Sequence, residues 1–229
     1  MKRVDNMEGK SLIFKKLIGC YDSVIDLTTY EEQTEGVCMM AVRQRPESLK
    51  DVREQTEKIC LEAIEHHPEA FKYVREQTET ICLAAVKKDY RLLELVQSPT
   101  EEIILAAIEQ HEDAIFLVNK PSRAVQLAVV RKNGLYLQYL KRPSTEVCLE
   151  AVRQNGLALS MIKHQSKKMC EEAIHQNLKA IAYVKHQTHE LCRLAIELDC
   201  QVVGCIRRPS KKILKESLIL MNERLVCEV

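Results

Sequence analysis

The chain has 229 residues, about one and a half times the rough 150-residue domain prior. Charged residues make up 29% but the formal net charge is only +1, which excludes a bulk polybasic or polyacidic protein. Aromatics are 4% with no Trp, so base-stacking platforms are scarce, and no apolar run approaches the roughly 18 residues of a membrane span.

The start, Met1-Lys2-Arg3-Val4-Asp5, leads into a charged segment rather than a long apolar run. A secretory leader is therefore not expected, and the expected location is the cytoplasm, of the producing cell or of a host cell that the protein enters. Leu12, Ile13, Phe14, Leu17 and Ile18 form an amphipathic stretch. Residues 1–33 are read as an N-terminal capping segment whose helix shields the first repeat.

From Thr34 onward one register governs the chain. Hydroxyl residues stand at Thr34, Thr56, Thr78, Thr100, Ser122, Ser144, Ser166, Thr188 and Ser210, 22 residues apart each time. Each is preceded by Gln (33, 55, 77, 165, 187) or Pro (99, 121, 143, 209). A strict internal period takes precedence over any local motif. Ser and Thr are good N-caps, because the side-chain oxygen accepts from a first-turn amide. Apolar or small residues follow three, four, seven and eight places later, as in Ile59, Cys60, Ala63 and Ile64, the stripe of an amphipathic helix. The pattern breaks at Pro46, Pro68, Asn133-Gly134 and Asn155-Gly156. Pro cannot continue the ladder, and Gly tolerates a positive φ, so these read as helix stops.

A second, shorter helix of about seven or eight residues, roughly 11 Å, is predicted in each repeat. Its buried positions read Leu49 and Val52, Phe71 and Val74, Leu93 and Val96, Ile115 and Val118, Leu137 and Leu140, Leu159 and Ile162, Ile181 and Val184. Tyr73, Tyr139 and Tyr183 add to this apolar set. The predicted fold is all-α: residues 34–229 form a solenoid of nine tandem 22-residue helical hairpins, of either hand, the ninth truncated at Val229. Stacked at about 10 Å per repeat, nine units would make a rod or arc on the order of 90 Å.

Residues 144–165 (Ser-Thr-Glu-Val-Cys-Leu-Glu-Ala-Val-Arg-Gln-Asn-Gly-Leu-Ala-Leu-Ser-Met-Ile-Lys-His-Gln) and 78–88 resemble the repeat called domain of unknown function 4116. The likeness runs over about residues 34–220. Gln126, Val129, Leu214 and Ser217 depart from its Cys and Ala pattern in repeats five and nine. The resemblance implies tandem helical repeats of a kind found in bacteria and large viruses. It implies no catalytic residues.

Cys38, Cys60, Cys82, Cys148, Cys170 and Cys192 all fall four places after a cap, where other repeats carry Ile104, Gln126 and Leu214. They read as small core hydrophobes. One repeat of separation is too wide for a disulfide or a shared metal. Cys20, Cys200, Cys205 and Cys227 lie outside that register, and Cys200, in the place of a loop Gly, is expected to be the more exposed. The histidines read as surface or hydrogen-bonding groups, and the carboxylates after the caps suit helix N-termini. There is no Gly-rich phosphate loop, no His-Glu-x-x-His and no nucleophile elbow. No catalytic residue, cofactor or metal is assigned.

The charge is distributed unevenly. Residues 1–114 carry 15 Lys or Arg against 23 Asp or Glu, a net of −8, and residues 115–229 carry 19 against 10, a net of +9. Lys120, then Lys141 and Arg142, Lys163 and His164, Lys185 and His186, and Arg207 and Arg208 recur at the turn after the second helix. A helix C-terminus favours one cation through its dipole; doubled cations exceed that need. The edge is the candidate binding site. The expected function is a non-enzymatic interaction scaffold or inhibitor docking a protein or nucleoprotein, one form being an antidefence protein of a virus or mobile element. The alternatives are nucleic-acid binding by the basic edge, an unfamiliar enzyme site in the groove, a plain solvated surface, and head-to-tail self-association. No membrane partner is expected.

Overall fold

The structure, a computed structural model, describes residues 24–227, with side chains through Glu223. The predicted capping helix at 12–18 and Cys20 lie outside the described residues, as does the side chain of Cys227. The described chain is helical throughout and has no strand. Its architecture is tandem helical hairpins, solenoid-like, with contacts between successive repeats such as Glu35–Gln44 with Glu57–His66 and Arg123–Lys132 with Thr145–Gln154. The chain divides between Gln97 and Ser98 into two compact units. Repeats 1–3 fall in the first and repeats 4–9 in the second.

In the first unit the first helices of the repeats span Glu35–Gln44, Glu57–His66 and Glu79–Lys88. In the second they span Glu101–Gln110, Arg123–Lys132, Thr145–Gln154, Lys167–Gln176 and His189–Leu198, followed by the terminal helix Lys211–Cys227. Eight of the nine expected hydroxyls cap their helix, each accepting from the amide three residues on; Ser166 accepts from the Met169 amide at 3.2 Å. Thr34 makes no such bond. The stripe is buried as predicted: Val37, Cys38, Ala41 and Val42 at one end, Leu191, Cys192, Ala195 and Ile196 at the other.

The second helix differs from expectation. In repeats 2–8 it is a six-residue 3-10 helix: Pro68–Tyr73, Tyr90–Leu95, Glu112–Leu117, Gly134–Tyr139, Gly156–Met161, Leu178–Tyr183 and Cys200–Cys205. In repeat 1 it is a single α-turn, Ser48–Asp51. At about 2.0 Å per residue six residues cover about 12 Å, and three residues per turn bring positions three apart into line. That suits the buried pairs, such as Phe71 with Val74 and Ile181 with Val184. All the predicted pairs are buried except that Val118 is half-buried. The tyrosines two places after the first buried residue point the other way: Tyr139 is 52% exposed and Tyr183 46%.

One loop expectation is sharpened and another corrected. Gly134 and Gly156 do not adopt a positive φ. A Cβ on Gly134 would meet the Ala151 carbonyl oxygen at 2.2 Å, and one on Gly156 would meet that of Ala173 at 2.5 Å. Glycine is required here by the close approach of the next repeat. Cys200, expected to be exposed, is buried, because the terminal helix packs over its 3-10 helix and Ser217 Oγ donates to the Cys200 carbonyl at 3.1 Å. The ninth repeat is one continuous helix of 17 residues rather than the start of a hairpin. There Leu214 and Leu218 are exposed, where the equivalent Cys192 and Ile196 are buried.

Candidate binding surface

Side-chain amides join the repeats. Gln55 Nε2 donates to the Leu49 carbonyl at 2.8 Å and the Tyr73 carbonyl at 3.1 Å, and its Oε1 accepts from the Arg75 amide at 2.9 Å. Gln165 repeats the arrangement, donating to Leu159 and Tyr183 at 3.0 Å each and accepting from Lys185 at 2.8 Å. Gln33 does the same with Leu27, Asp51 and Arg53. Leu27, one period before Leu49, is buried in the 3-10 helix Leu27–Thr29, so the second-helix layer begins ahead of Thr34. A second amide clamp runs from Gln154 to the Gly134 amide at 2.6 Å and the Lys132 carbonyl at 3.1 Å. Gln176 clamps Gly156 and Gln154 in the same way. The signal in the sequence was Gln before the cap, and Gly followed 20 residues later by Gln.

Gln165 and Gln187 hold two of the turns that carry the predicted cations, accepting from the Lys185 amide at 2.8 Å and the Arg207 amide at 2.9 Å, whereas Pro121, Pro143 and Pro209 stand beside Lys120, Arg142 and Arg208. Lys120, Lys141, Arg142, Lys163, His164, Lys185, His186, Arg207 and Arg208 are all exposed. The first cation of a pair can act as a tether. Lys185 Nζ donates to the Lys163 carbonyl at 2.8 Å, and the Arg207 guanidinium donates to the Val184 carbonyl. Arg75 in the first unit does likewise, reaching the Arg53 carbonyl at 3.1 Å and that of Lys50 at 2.9 Å. Part of the edge therefore stitches repeats together. Arg142 and Arg208 have φ of 53° and 51°, a left-handed conformation that costs a non-glycine residue roughly 1–2 kcal/mol.

None of the nine edge residues enters an ion pair among the described residues. The first helices of the second unit differ. There Arg131 pairs with Glu150 at 2.9 Å, Arg153 with Glu172 at 2.9 Å, and Arg123 with Glu146 and Lys167 with Glu190 at close contact. The hydrogen bond from Arg153 lowers the Glu172 carboxyl below the usual range, and that from Lys167 does the same to Glu190. The carboxylates of repeats 5–8 lie on the first helices, with the exception of Asp199. The segments 133–143, 155–165, 177–187 and 199–209 hold seven Lys or Arg and that one acid.

The same layer carries exposed apolar side chains one repeat apart: Leu117, Tyr139, Met161 and Tyr183 at 38%, 52%, 37% and 46% exposure. Phe116 joins the start of this row, 56% exposed, with its ring 4.9 Å from that of Tyr139 and 5.9 Å from that of Tyr136. The Tyr136 hydroxyl donates to the Asp113 carboxylate.

Other parts of the molecule carry less chemistry. In the first unit an open depression is lined by Glu57, Lys58, Leu61, Glu62, Glu65 and Lys88. Most of its charges are matched: Lys58 meets Glu35 and Lys88 meets Glu65, each at 2.6 Å, Glu62 meets Arg43, and Glu57 accepts from the Thr78 hydroxyl at 3.0 Å. Burial pushes the thiols of Cys38, Cys60, Cys82, Cys148, Cys170 and Cys192 up, and all eight described cysteines are free. No three His, Cys, Asp or Glu converge as a metal site among the described residues, and none of the described helices is long and apolar enough to cross a membrane. No family model, no curated protein and no solved structure matches the chain.

Proposed function

We propose that the protein is an interaction scaffold that acts by binding rather than turnover, in a cytoplasmic setting, and that the basic turns of repeats 5–8 dock a protein partner. The observation that carries this reading is the segregation of charge within those repeats. The first helices pair most of their charges, as Arg131, Arg153 and Lys167 do, and the edge residues of the turns enter no ion pair among the described residues. Uncompensated charge held on a clamped frame steers an acidic partner and fixes its orientation. The likeness to the domain of unknown function 4116 repeats accords with such a scaffold and assigns no residues. Inhibition of the partner, by a protein of viral or mobile-element origin, is a narrower form of the same proposal.

Affinity capture from nuclease-treated extract, with wild type beside the double variant Arg142→Glu/Lys163→Glu, tests the proposal. Both side chains are exposed, so the fold should survive. A protein retained by wild type and lost from the variant is expected, and its retention should weaken as salt rises. Equal retention by both would remove the edge from the account. Capture that vanishes with nuclease treatment, together with direct RNA or DNA binding lost in the same variant, would replace the protein partner with a nucleic acid.

A further inference from the structure

Resting on that reading, we propose that the second-helix layer of repeats 4–7 is a groove for an acidic, extended polypeptide segment with an apolar side chain at every third residue. The first observation is the row of Leu117, Tyr139, Met161 and Tyr183, each 37–52% exposed and each at the same position of its repeat. The core of these repeats is filled from the other side of the same 3-10 helices, by residues such as Leu137, Leu159 and Ile181. The row is therefore apolar surface beyond what the fold needs.

The second observation is charge. Tyr139, Met161 and Tyr183 are each followed two and three residues later by exposed Lys, Arg or His, and Leu117 is followed by Lys120 three residues later. The segments 133–143, 155–165 and 177–187 hold no acid, while Glu112 and Asp113 stand at the Leu117 end. Apolar contacts bordered over repeats 5–7 by basic residues without an acid suit a chain that alternates apolar and acidic groups. A basic or neutral chain would lose the electrostatic half of the contact.

Spacing sets the conformation of the occupant. Neighbouring packed helices lie about 10 Å apart, so the rungs recur at about that interval. A polyproline II segment rises about 3.1 Å per residue with three residues per turn, placing residues i, i+3 and i+6 on one face about 9 Å apart. A β-strand turns residue i+3 to the opposite face. Leu and Met rungs offer no flat face to a base, and the Tyr139 ring is already in edge contact with Phe116. These features favour a polypeptide over a single nucleic-acid strand, whose bases need open stacking faces.

The probe is a fluorescent peptide of five Leu-Glu-Pro triplets, titrated against the full chain by anisotropy. Its controls are the same composition shuffled, Lys in place of Glu, and a single-stranded uridine oligonucleotide. The Leu-Glu-Pro peptide should bind most tightly. Tyr139→Ser/Tyr183→Ser should weaken it about tenfold or more, as truncation of interface aromatics does. Met161→Gln, a milder change at an exposed site, should weaken it less and guards against a folding artefact. The proposal is overturned if the shuffled peptide binds equally, if the tyrosine variant leaves binding unchanged, or if the oligonucleotide binds with the same tyrosine dependence. Should Tyr139→Ser/Tyr183→Ser still capture the protein partner that Arg142→Glu/Lys163→Glu loses, the groove proposal falls and the scaffold reading stands. Loss of neither falls on both.

Discussion

The second-helix segments of repeats 1–3 and repeats 5–8 share a frame and differ in what they display. In both, a Gln standing before a cap can clamp three backbone groups, as Gln55 and Gln165 do, although Pro121 and Pro143 take that place in repeats 5 and 6. In both, one large residue is fully buried at the same place, Phe71 or Ile181. The surfaces then part. Repeats 1–3 intersperse Glu47, Asp51, Glu54, Glu69, Glu76, Asp89 and Glu94 among their cations, and repeats 5–8 have only Asp199. Directly after the tethering position the first set carries Glu54 and Glu76, and the second carries Arg142, His164, His186 and Arg208. A repeat protein thus holds its frame constant while its surface charge varies along the chain, so stability and binding should respond to different residues.

The largest effects should come from the shared frame. Phe71→Ala and Ile181→Ala should each lower unfolding free energy by roughly 2–5 kcal/mol, read as a drop in urea midpoint. A large loss at one site and none at the other would break the equivalence of the two regions. Next in size, Gln55→Ala and Gln165→Ala each strand three backbone partners and should cost roughly 1–3 kcal/mol. A cost in only one region would show that the clamp matters locally.

The display residues should move stability little. Arg142→Gly removes a side chain from the left-handed conformation at φ 53° and should raise stability by about 1 kcal/mol, while weakening the partner. If stability falls instead, Arg142 belongs to the frame. Smallest of all is the expected reaction of the buried thiols. Burial holds Cys38, Cys60, Cys82, Cys148, Cys170 and Cys192 in the protonated form, so iodoacetamide at neutral pH should leave them unmodified until denaturant is added. Peptide mapping by mass spectrometry reads the outcome; native labelling of Cys60 would contradict its burial.

The 22-residue register was legible because core positions demand the same residue classes in every repeat. Thr56, Ile59, Cys60, Ala63 and Ile64 announce a capped amphipathic helix without help from the structure. The 3-10 form was not legible, since a buried pair three apart, such as Phe71 and Val74, fits an α-turn equally well. Gly134 was ambiguous for a different reason: a positive φ and a close backbone approach both demand glycine. The basic edge was visible as charge, but its division of labour was not. Lys163 and Lys185 look equivalent in sequence, yet Lys185 reaches back to the Lys163 carbonyl, and reach depends on how the turns stack. The apolar row is not legible without geometry: Tyr139 and Tyr183 adjoin buried Leu140 and Val184 in sequence, and only the turn of the 3-10 helix puts them on the outside.

Hydrogen exchange of the full chain, with and without the protein captured from nuclease-treated extract, tests the central claim most directly. The account predicts new protection in the turns of repeats 5–8, around residues 141–144, 163–166 and 185–188, with the second-helix segments at 45–99 unchanged. Protection confined to the first helices, or to residues 45–99, would contradict it.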